Sequence, residues 1–438
     1  MRRLVWLLVL GTLAALPASA TAVVYGIGDS PGAFARCPNV AGPGGCSQSA
    51  MRGFFGQPTF RELASPASRH QLTEVRIFVD YDAIEDYDGS TTAPGCALSR
   101  VAQQAWRDGA GRTHAAAQSW NDLRAELIAA RIDGLTPVVA IAGYASPNAI
   151  PPWDRPFPDP TTTTGYWEYY CGVQGVLNAV SKLPAAVRPH IWEAVNEPDA
   201  FATFDGDESS TVESCASGST NVVAGAGKAA CAYVLAAGLI HQFAGHAGDT
   251  VIAGVFTHPS TDYLAPYARM LATQLPGAQF PATWSVHDYA DVTRALHDTA
   301  LPELASFDQA LAAITGGAAH DLWITESGTL LTDRAVADDC PAAGVDDAGT
   351  LGACVNGHPA RQLSSAAAFL ALPSAGDAVP ISHLFWYQWE GEANWDSGLT
   401  DTNGDRRVGW CALYGSGTCT GSPEVATGLG AAASGTAG

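Results

Sequence analysis

The sequence predicts an α/β chain, specifically a (β/α)8 barrel with disulfide-bearing loop insertions. Three observations carry that prediction. Eight short apolar runs recur along the 438 residues, each closing on polar or small residues. Stretches of helical periodicity separate them. The length also suits a barrel, whose bare fold takes about 250 residues and which tolerates insertions to beyond 400. The runs are too uniformly apolar for a sheet wet on one face and suit parallel strands buried on both sides.

Taken in order, the first run is "TAVVYGIGD" (Thr21–Asp29). No G-x-G-x-x-G follows it, which argues against a doubly wound sheet with a phosphate-binding turn. The second, "EVRIFVDYD" (Glu74–Asp82), precedes "WNDLRAELIAARIDG", where Leu123, Leu127 and Ile128 form one helical face and Gly134 stops the helix. "TPVVAIAGY" (Thr136–Tyr144) leads to a helix over Tyr166–Leu183. The fourth run, "HIWEAVNEP" (His190–Pro198), must end where Pro198 cannot donate to a ladder. A helix over Gly227–Ala247 separates it from "DTVIAGVFT" (Asp249–Thr257). Helices over Tyr263–Gln274 and Ala305–Ile314 flank "ATWSVHDY" (Ala282–Tyr289). "DLWITESG" (Asp321–Gly328) is the seventh run, and a helix over Arg361–Leu372 precedes the eighth, "SHLFWYQWE" (Ser382–Glu390).

The chain begins with Arg2 and Arg3, an apolar run from Leu4 to Leu16, and the small residues Ala18, Ser19 and Ala20. That is the grammar of a signal peptide cleaved after Ala20. Residues 1–20 are therefore expected to be a leader, 21–418 the barrel, and 419–438 a small-residue tail without fixed structure. No later apolar run is long enough to span a bilayer. The mature protein is expected to be secreted, free of the membrane and monomeric.

The ten cysteines all follow the proposed cleavage site, and their even number suits an oxidising compartment. Spacing suggests bridges 37 with 46, 215 with 231, 340 with 354 and 411 with 419, leaving 96 with 171, although spacing alone does not fix the pairing. The cysteine-bearing insertions would be 31–57, 91–112, 205–223 and 338–357. No C-x-x-C pair and no His-x-x-x-His beside a cysteine occurs, so neither a structural zinc nor any other metal or cofactor is expected. A net charge of −21 with only 22 basic residues argues against a nucleic-acid partner.

In a barrel of this class chemistry gathers at the C-terminal ends of the strands. Those ends carry Arg76 with Asp80, Asn196 with Glu197, His287 with Tyr289, then Glu326, and finally Trp386 with Trp389. Two glutamates with aromatic and amide neighbours converge on one mouth. Paired carboxylates suit glycosidic bond cleavage, in which one protonates the leaving oxygen and the other attacks the anomeric carbon or activates water. Trp153, Trp386, Trp389 and Trp395 are candidate sugar platforms, and Trp389 is favoured by its place after the eighth strand.

Asn196-Glu197-Pro198 closing the fourth run and Glu326 closing the seventh resemble clan A of the retaining glycoside hydrolases. The resemblance extends strand by strand to about Tyr414. The stretches "VRIFVDYDAIEDYDG", "WNDLRAELIAARIDGLTPVVAI" and "WEAVNEP" look most like families 39 and 5, although Val195 stands where those relatives often carry an aromatic residue. The resemblance implies a secreted retaining glycosidase acting on an oligo- or polysaccharide, with Glu197 as general acid/base and Glu326 as nucleophile. It further implies that Asn196 holds the sugar's 2-hydroxyl, that His287 lines the site, and that Tyr289 and Arg76 reach the nucleophile. The rival function is a non-catalytic carbohydrate-binding barrel of the cell envelope, which would need no acid/base pair.

Two decoys stand beside these residues. Glu193 shares strand parity with Glu197 but lies four residues earlier, ~13 Å deeper at ~3.3 Å per residue, and suits an interior network in which Arg76 could be its ion-pair partner. "DTNGD" (Asp401–Asp405) hints at a calcium loop, yet lacks the distal Glu of an EF-hand and suits a turn between two late strands.

Overall fold

The computed structural model describes residues 23–29, 55, 58–66, 70–80, 120–142, 159–200, 215, 225–257, 261–275, 280–289, 291–292, 302–318, 320–328, 359–375, 381–389, 398–400 and 406–414. The proposed leader, the tail, "DTNGD", Trp153, Trp395 and six of the ten cysteines lie outside them. The strands are β1 (Val24–Asp29), β2 (Leu72–Asp80), β3 (Thr136–Ala142), β4 (Ile191–Glu193), β5 (Thr250–Ile252), β6 (Val255–Phe256), β7 (Thr283–His287), β8 (Asp321–Ser327) and β9 (Ile381–Tyr387). Between and after them run α1 (Pro58–Ala64), α2 (Trp120–Ile132), α3 (Thr163–Ser181), α4 (Gly225–Gln242), α5 (Thr261–Gln274), α6 (Pro302–Thr315), α7 (Pro359–Ala375) and α8 (Val408–Tyr414). Each predicted run and helix is present. Among the described residues no helix is long and apolar enough to cross a membrane.

All pairings between strands are parallel, in the order β5-β4-β3-β2-β1-β9-β8-β7-β6. The two ends of that order are halves of one run, Thr250–Phe256, so nine segments make the eight expected staves. Thr250–Ile252 pairs with β4 and Val255–Phe256 with β7. Across the break, Ala253 N donates to Thr283 O at 2.9 Å, and Ser285 N to Gly254 O at 2.8 Å. Asn196 bridges Val255, and Glu197 N donates to Val255 O at 2.9 Å, which closes the ring. The Phe256 ring folds back over Gly254, where a Cβ would lie 2.3 Å from it. Where the ladder stops, helix tyrosines take up the strand carbonyls: Tyr169 donates to Ala194 O and Tyr267 to Ala253 O. Buried carbonyls at a broken strand need such partners.

Strand alternation divides the side chains cleanly. On β2, Val75, Ile77 and Val79 join the layer between strands and helices, whereas Glu74, Arg76 and Phe78 point into the barrel. Val138, Ile252, Val255, Trp323 and Phe385 fill the barrel's middle. The glycines of "GIG" are explained by this packing. A Cβ on Gly26 would meet the Phe385 ring at 2.2 Å, and one on Gly28 would touch Tyr387 and Arg76. β1 is therefore the thin stave into whose space its neighbours lean.

At the barrel floor His383 stacks on Trp323 at 3.4 Å between centroids, and its Nε2 lies 3.7 Å from Glu74 Oε1. Burial pushes the Glu74 carboxyl up to about 8 and the His383 imidazole down to about 4. Both shifts favour the neutral forms, so this is a contact between uncharged groups and not an ion pair. Cys215 and Cys231 form a disulfide, as the spacing suggests. Cys171 and Cys411 are also disulfide-bonded, and the cysteines proposed as their partners, Cys96 and Cys419, lie outside the described residues.

Gly26→Ala should lower the unfolding free energy in urea by about 1–3 kcal/mol, because the added methyl overpacks a filled barrel. Adding Phe385→Leu should recover part of that loss.

Candidate active site

The mouth is organised by the Arg76 guanidinium, which is fully buried on β2. Its Nε donates to Glu193 Oε2 at 2.7 Å, Nη1 to Glu326 Oε1, and Nη2 to Asn196 Oδ1 at 2.5 Å. Arginine only donates, which identifies the oxygen of the Asn196 amide. Tyr289 Oη donates to the other Glu326 oxygen at 3.0 Å. Both readings of Arg76 therefore hold at once: it pairs with the deep Glu193 and also reaches Glu326.

His287 joins the two glutamates at the mouth. Its Nδ1 lies 2.6 Å from Glu197 Oε1 and 3.4 Å from Glu326 Oε2. One ligand atom each of Glu197, His287 and Glu326 lie within 4.8 Å of one another. Burial is the largest influence on the imidazole and, with Arg76 adding to it, pushes it down to about 4 against the opposing pull of Glu326. The ring is thus neutral near neutrality, with one N–H and one lone pair. Among the described residues Nε2 is buried without a hydrogen-bond partner. An orphaned acceptor costs less than an orphaned donor, so we assign the hydrogen to Nδ1, which donates to Glu197.

Burial likewise pushes the Glu326 carboxyl up, while His287 and Arg76 pull it down and Glu197 adds to the rise. The phenol of Tyr289 is driven well above its ordinary range, first by burial and then by Glu326, so it remains a donor. The Glu326 side chain is 7 % exposed, whereas that of Glu197 keeps 28 %, so the two carboxyls differ in their access to solvent.

Neither glutamate arrives by regular strand alternation. On the fourth stave Glu193 faces inward, Ala194 and Val195 both pack outward, and Asn196 faces inward again. Two consecutive outward residues amount to a bulge, which shifts the parity. Glu197 then takes φ of 48°, the only positive φ at a non-glycine among the described residues. That left-handed turn costs roughly 1–2 kcal/mol and lets Asn196 and Glu197 serve the mouth in succession. On β8, Thr325 bonds Ser285 at 2.6 Å inside the barrel, yet the next residue, Glu326, also faces inward. The register slips there, between Ile324 and Ser327 against β9.

Six of the seven expected residues thus converge: Arg76, Asn196, Glu197, His287, Tyr289 and Glu326. Trp389 does not present a platform. Its side chain is fully buried, edge-on to Phe60 at 5.1 Å, and Trp386 is buried against Phe369. Parity explains Trp386, since the inward positions of β9 are His383, Phe385 and Tyr387, whereas Trp389 lies beyond the end of the strand at Tyr387, where alternation no longer sets its direction. Tyr387 and Phe78 instead form the aromatic wall, their rings 6.5 Å apart and Arg76 4.3 Å over Phe78. Continuing the alternation from Phe385 identifies Tyr387, a signal outweighed in the sequence by the size of the tryptophans. The Asp80 side chain lies outside the described residues.

No family model matches the chain, and no curated protein matches it. Solved structures do resemble it. A family 39 glycoside hydrolase from the gut symbiont Bacteroides cellulosilyticus WH2 superposes with TM-score 0.44 at 13% identity, over 90% of this chain and 63% of that one. The exo-β-1,4-mannosidase Op5Man5 from Opitutaceae bacterium strain TAV5 gives 0.48 at 15%, over 94% and 60%. A family 1 β-glucosidase from Thermotoga maritima gives 0.42 at 10%, over 81% and 83%. The chain spans about three fifths of the length of the first two. At these identities and scores the likeness is one of overall fold and carries no inference about activity.

Arg76→Met should destabilise the protein by about 3–5 kcal/mol at pH 7, because Glu193 and Glu326 are left as uncompensated buried carboxylates. Denaturation across pH checks the cause. Burial already pushes the Glu326 carboxyl up, and without the opposing pull of Arg76 it titrates higher still above its unfolded value, so the deficit should shrink as pH falls towards that unfolded value.

Proposed function

We propose that the protein is a secreted retaining glycoside hydrolase that cleaves β-linked O-glycosidic bonds by double displacement. The observation that carries this reading is the convergence of Glu197, His287 and Glu326 within 4.8 Å. Carboxyls about 5–5.5 Å apart suit direct attack on the anomeric carbon, whereas about 6.5–9.5 Å would leave room for an intervening water and inversion.

The roles follow from the contacts. The Glu326 carboxylate, held by Arg76 and Tyr289, attacks the anomeric carbon as the glycosidic C–O bond breaks. Glu197 passes its proton to the departing oxygen. Water then attacks the glycosyl-enzyme, gives its proton to Glu197 and releases Glu326. Neutral His287 contacts both carboxyls and steadies Glu197 in each protonation state. Phe78 and Tyr387 offer aromatic surface beside the sugar. Residues Met1–Ala20 and the paired cysteines support export, and an oligo- or polysaccharide met outside the cell is the natural substrate class.

The same three side chains also have the composition of a cation site. Arg76 speaks against that use, because a guanidinium and a phenol already donate to the two Glu326 oxygens. Chelator should therefore leave turnover of aryl glycosides unchanged.

Glu326→Gln should reduce kcat below about 1% of wild type on every substrate, since loss of the nucleophile removes the covalent route. Glu197→Ala should lower kcat/KM on phenyl glycosides about 100-fold or more while sparing kcat/KM on dinitrophenyl glycosides, whose departure in the first step needs no protonation. Proton NMR of the first-formed sugar should show retained anomeric configuration. An inverted product would overturn the mechanism, and a protein that binds sugar but turns over none would be the non-catalytic barrel.

A further inference from the structure

The loop that carries Glu197 is stitched to the end of β6 by bonds that take no part in the chemistry. Asp199 lies two residues beyond Glu197 on the short 3-10 turn Pro198–Ala200. Its carboxylate receives the Thr257 backbone N–H on both oxygens, at 2.9 and 3.0 Å, and the Thr257 hydroxyl at 2.9 Å. On the near side of Glu197, Asn196 bridges Val255 and Glu197 N donates to Val255 O at 2.9 Å. Glu197 is therefore clamped from both flanks onto one two-residue strand, Val255–Phe256, and its successor Thr257.

The clamp matters because Glu197 sits in a conformation that its sequence disfavours. A residue before proline prefers extended backbone, and a glutamate rarely takes a left-handed φ. At 48° Glu197 does both unfavourable things, and in that conformation its Oε1 reaches His287. Pro198 fixes the φ that follows and removes one backbone donor from the turn. Something beyond Pro198 must hold the chain, and among the described residues the three bonds between Asp199 and Thr257 do so.

We propose that Asp199 and Thr257 are positioning residues that lock Glu197 in its left-handed conformation and so place the proposed acid/base against His287. The inference rests on the glycosidase reading for its kinetic consequences but not for its structural one. Because the clip acts on Glu197 alone, its loss would impair protonation of the leaving group and leave attack by Glu326 intact.

The test compares phenyl and 2,4-dinitrophenyl β-glycosides of a sugar that the wild-type protein turns over, using Asp199→Ala, Asp199→Asn and Thr257→Val in the full chain. Asp199→Ala should lose about 100-fold in kcat/KM on the phenyl substrate and less than about threefold in kcat/KM on the dinitrophenyl one, since kcat/KM reports formation of the glycosyl-enzyme and misplacing an acid by about 1 Å costs that much. Asp199→Asn should stay within about threefold on both, because an amide can still accept from the Thr257 N–H and donate to its hydroxyl. Thr257→Val removes one bond of three and should lie between them, providing a milder variant if Asp199→Ala does not fold. Equal losses on the two substrates would overturn the proposal.

A crystal structure of Asp199→Ala, or of Thr257→Val in its place, supplies the arm that needs no activity. Glu197 should leave the left-handed region and part from His287. If it keeps its φ and that contact, the clip is not what holds it. If the wild type turns over no aryl glycoside, the glycosidase reading falls while this structural arm still decides the clip.

Discussion

Arg76 is one cation buried beneath two carboxylates and an amide, and the arrangement of the mouth follows from satisfying it. A guanidinium has five N–H donors in a fixed plane and cannot lose its charge, so once buried it dictates where acceptors must stand. Glu193 meets it from below, Glu326 from across the ring and Asn196 from the neighbouring turn. Three staves of the barrel are thereby tied to one plane. Such a charge is retained at a cost in desolvation that apolar packing would not incur, which suits a group kept for geometry more than for stability.

The irregularities of the staves then make sense as the means of reaching that plane. A regular parallel strand offers every second residue to the interior, about 6.6 Å apart, too sparse a spacing for an acid, an amide and a base at one level. The fourth stave bulges at Ala194 and Val195, β8 slips after Ile324, and the fifth stave breaks at Ala253 and Gly254. The first two departures each deliver a polar side chain, Asn196 and Glu326, that alternation would have sent elsewhere.

That is also why the sequence is legible in one respect and opaque in another. Apolar runs and helical periodicity show the eight staves and their helices, because burial on both faces leaves a plain signature. The polar residues at the strand ends, Arg76, Asn196, Glu197, His287, Tyr289 and Glu326, are visible because nothing apolar explains them there. Parity, by contrast, misleads wherever a strand bends. It would send Asn196 and Glu326 outward, although both reach Arg76, and the attraction of a large ring favours Trp389 over Tyr387, the residue on the inward side. Asp199 carries no sequence signal, since its partner Thr257 is 58 positions away.

The split stave has one more consequence. A closed ring opens first at its shortest joint, and here that joint is the seam where β4, only three residues long, and the two-residue β6 meet around Asn196 and Val255. Local opening draws on the least-supported segments of a fold, well below the free energy of global unfolding. Glu197 is bonded into that seam, whereas Glu326 stands on a seven-residue stave between two others. Breathing of the barrel therefore changes the separation of the two carboxyls before it disturbs the core, so that on warming, loss of alignment at the mouth should precede any change in bulk helix content.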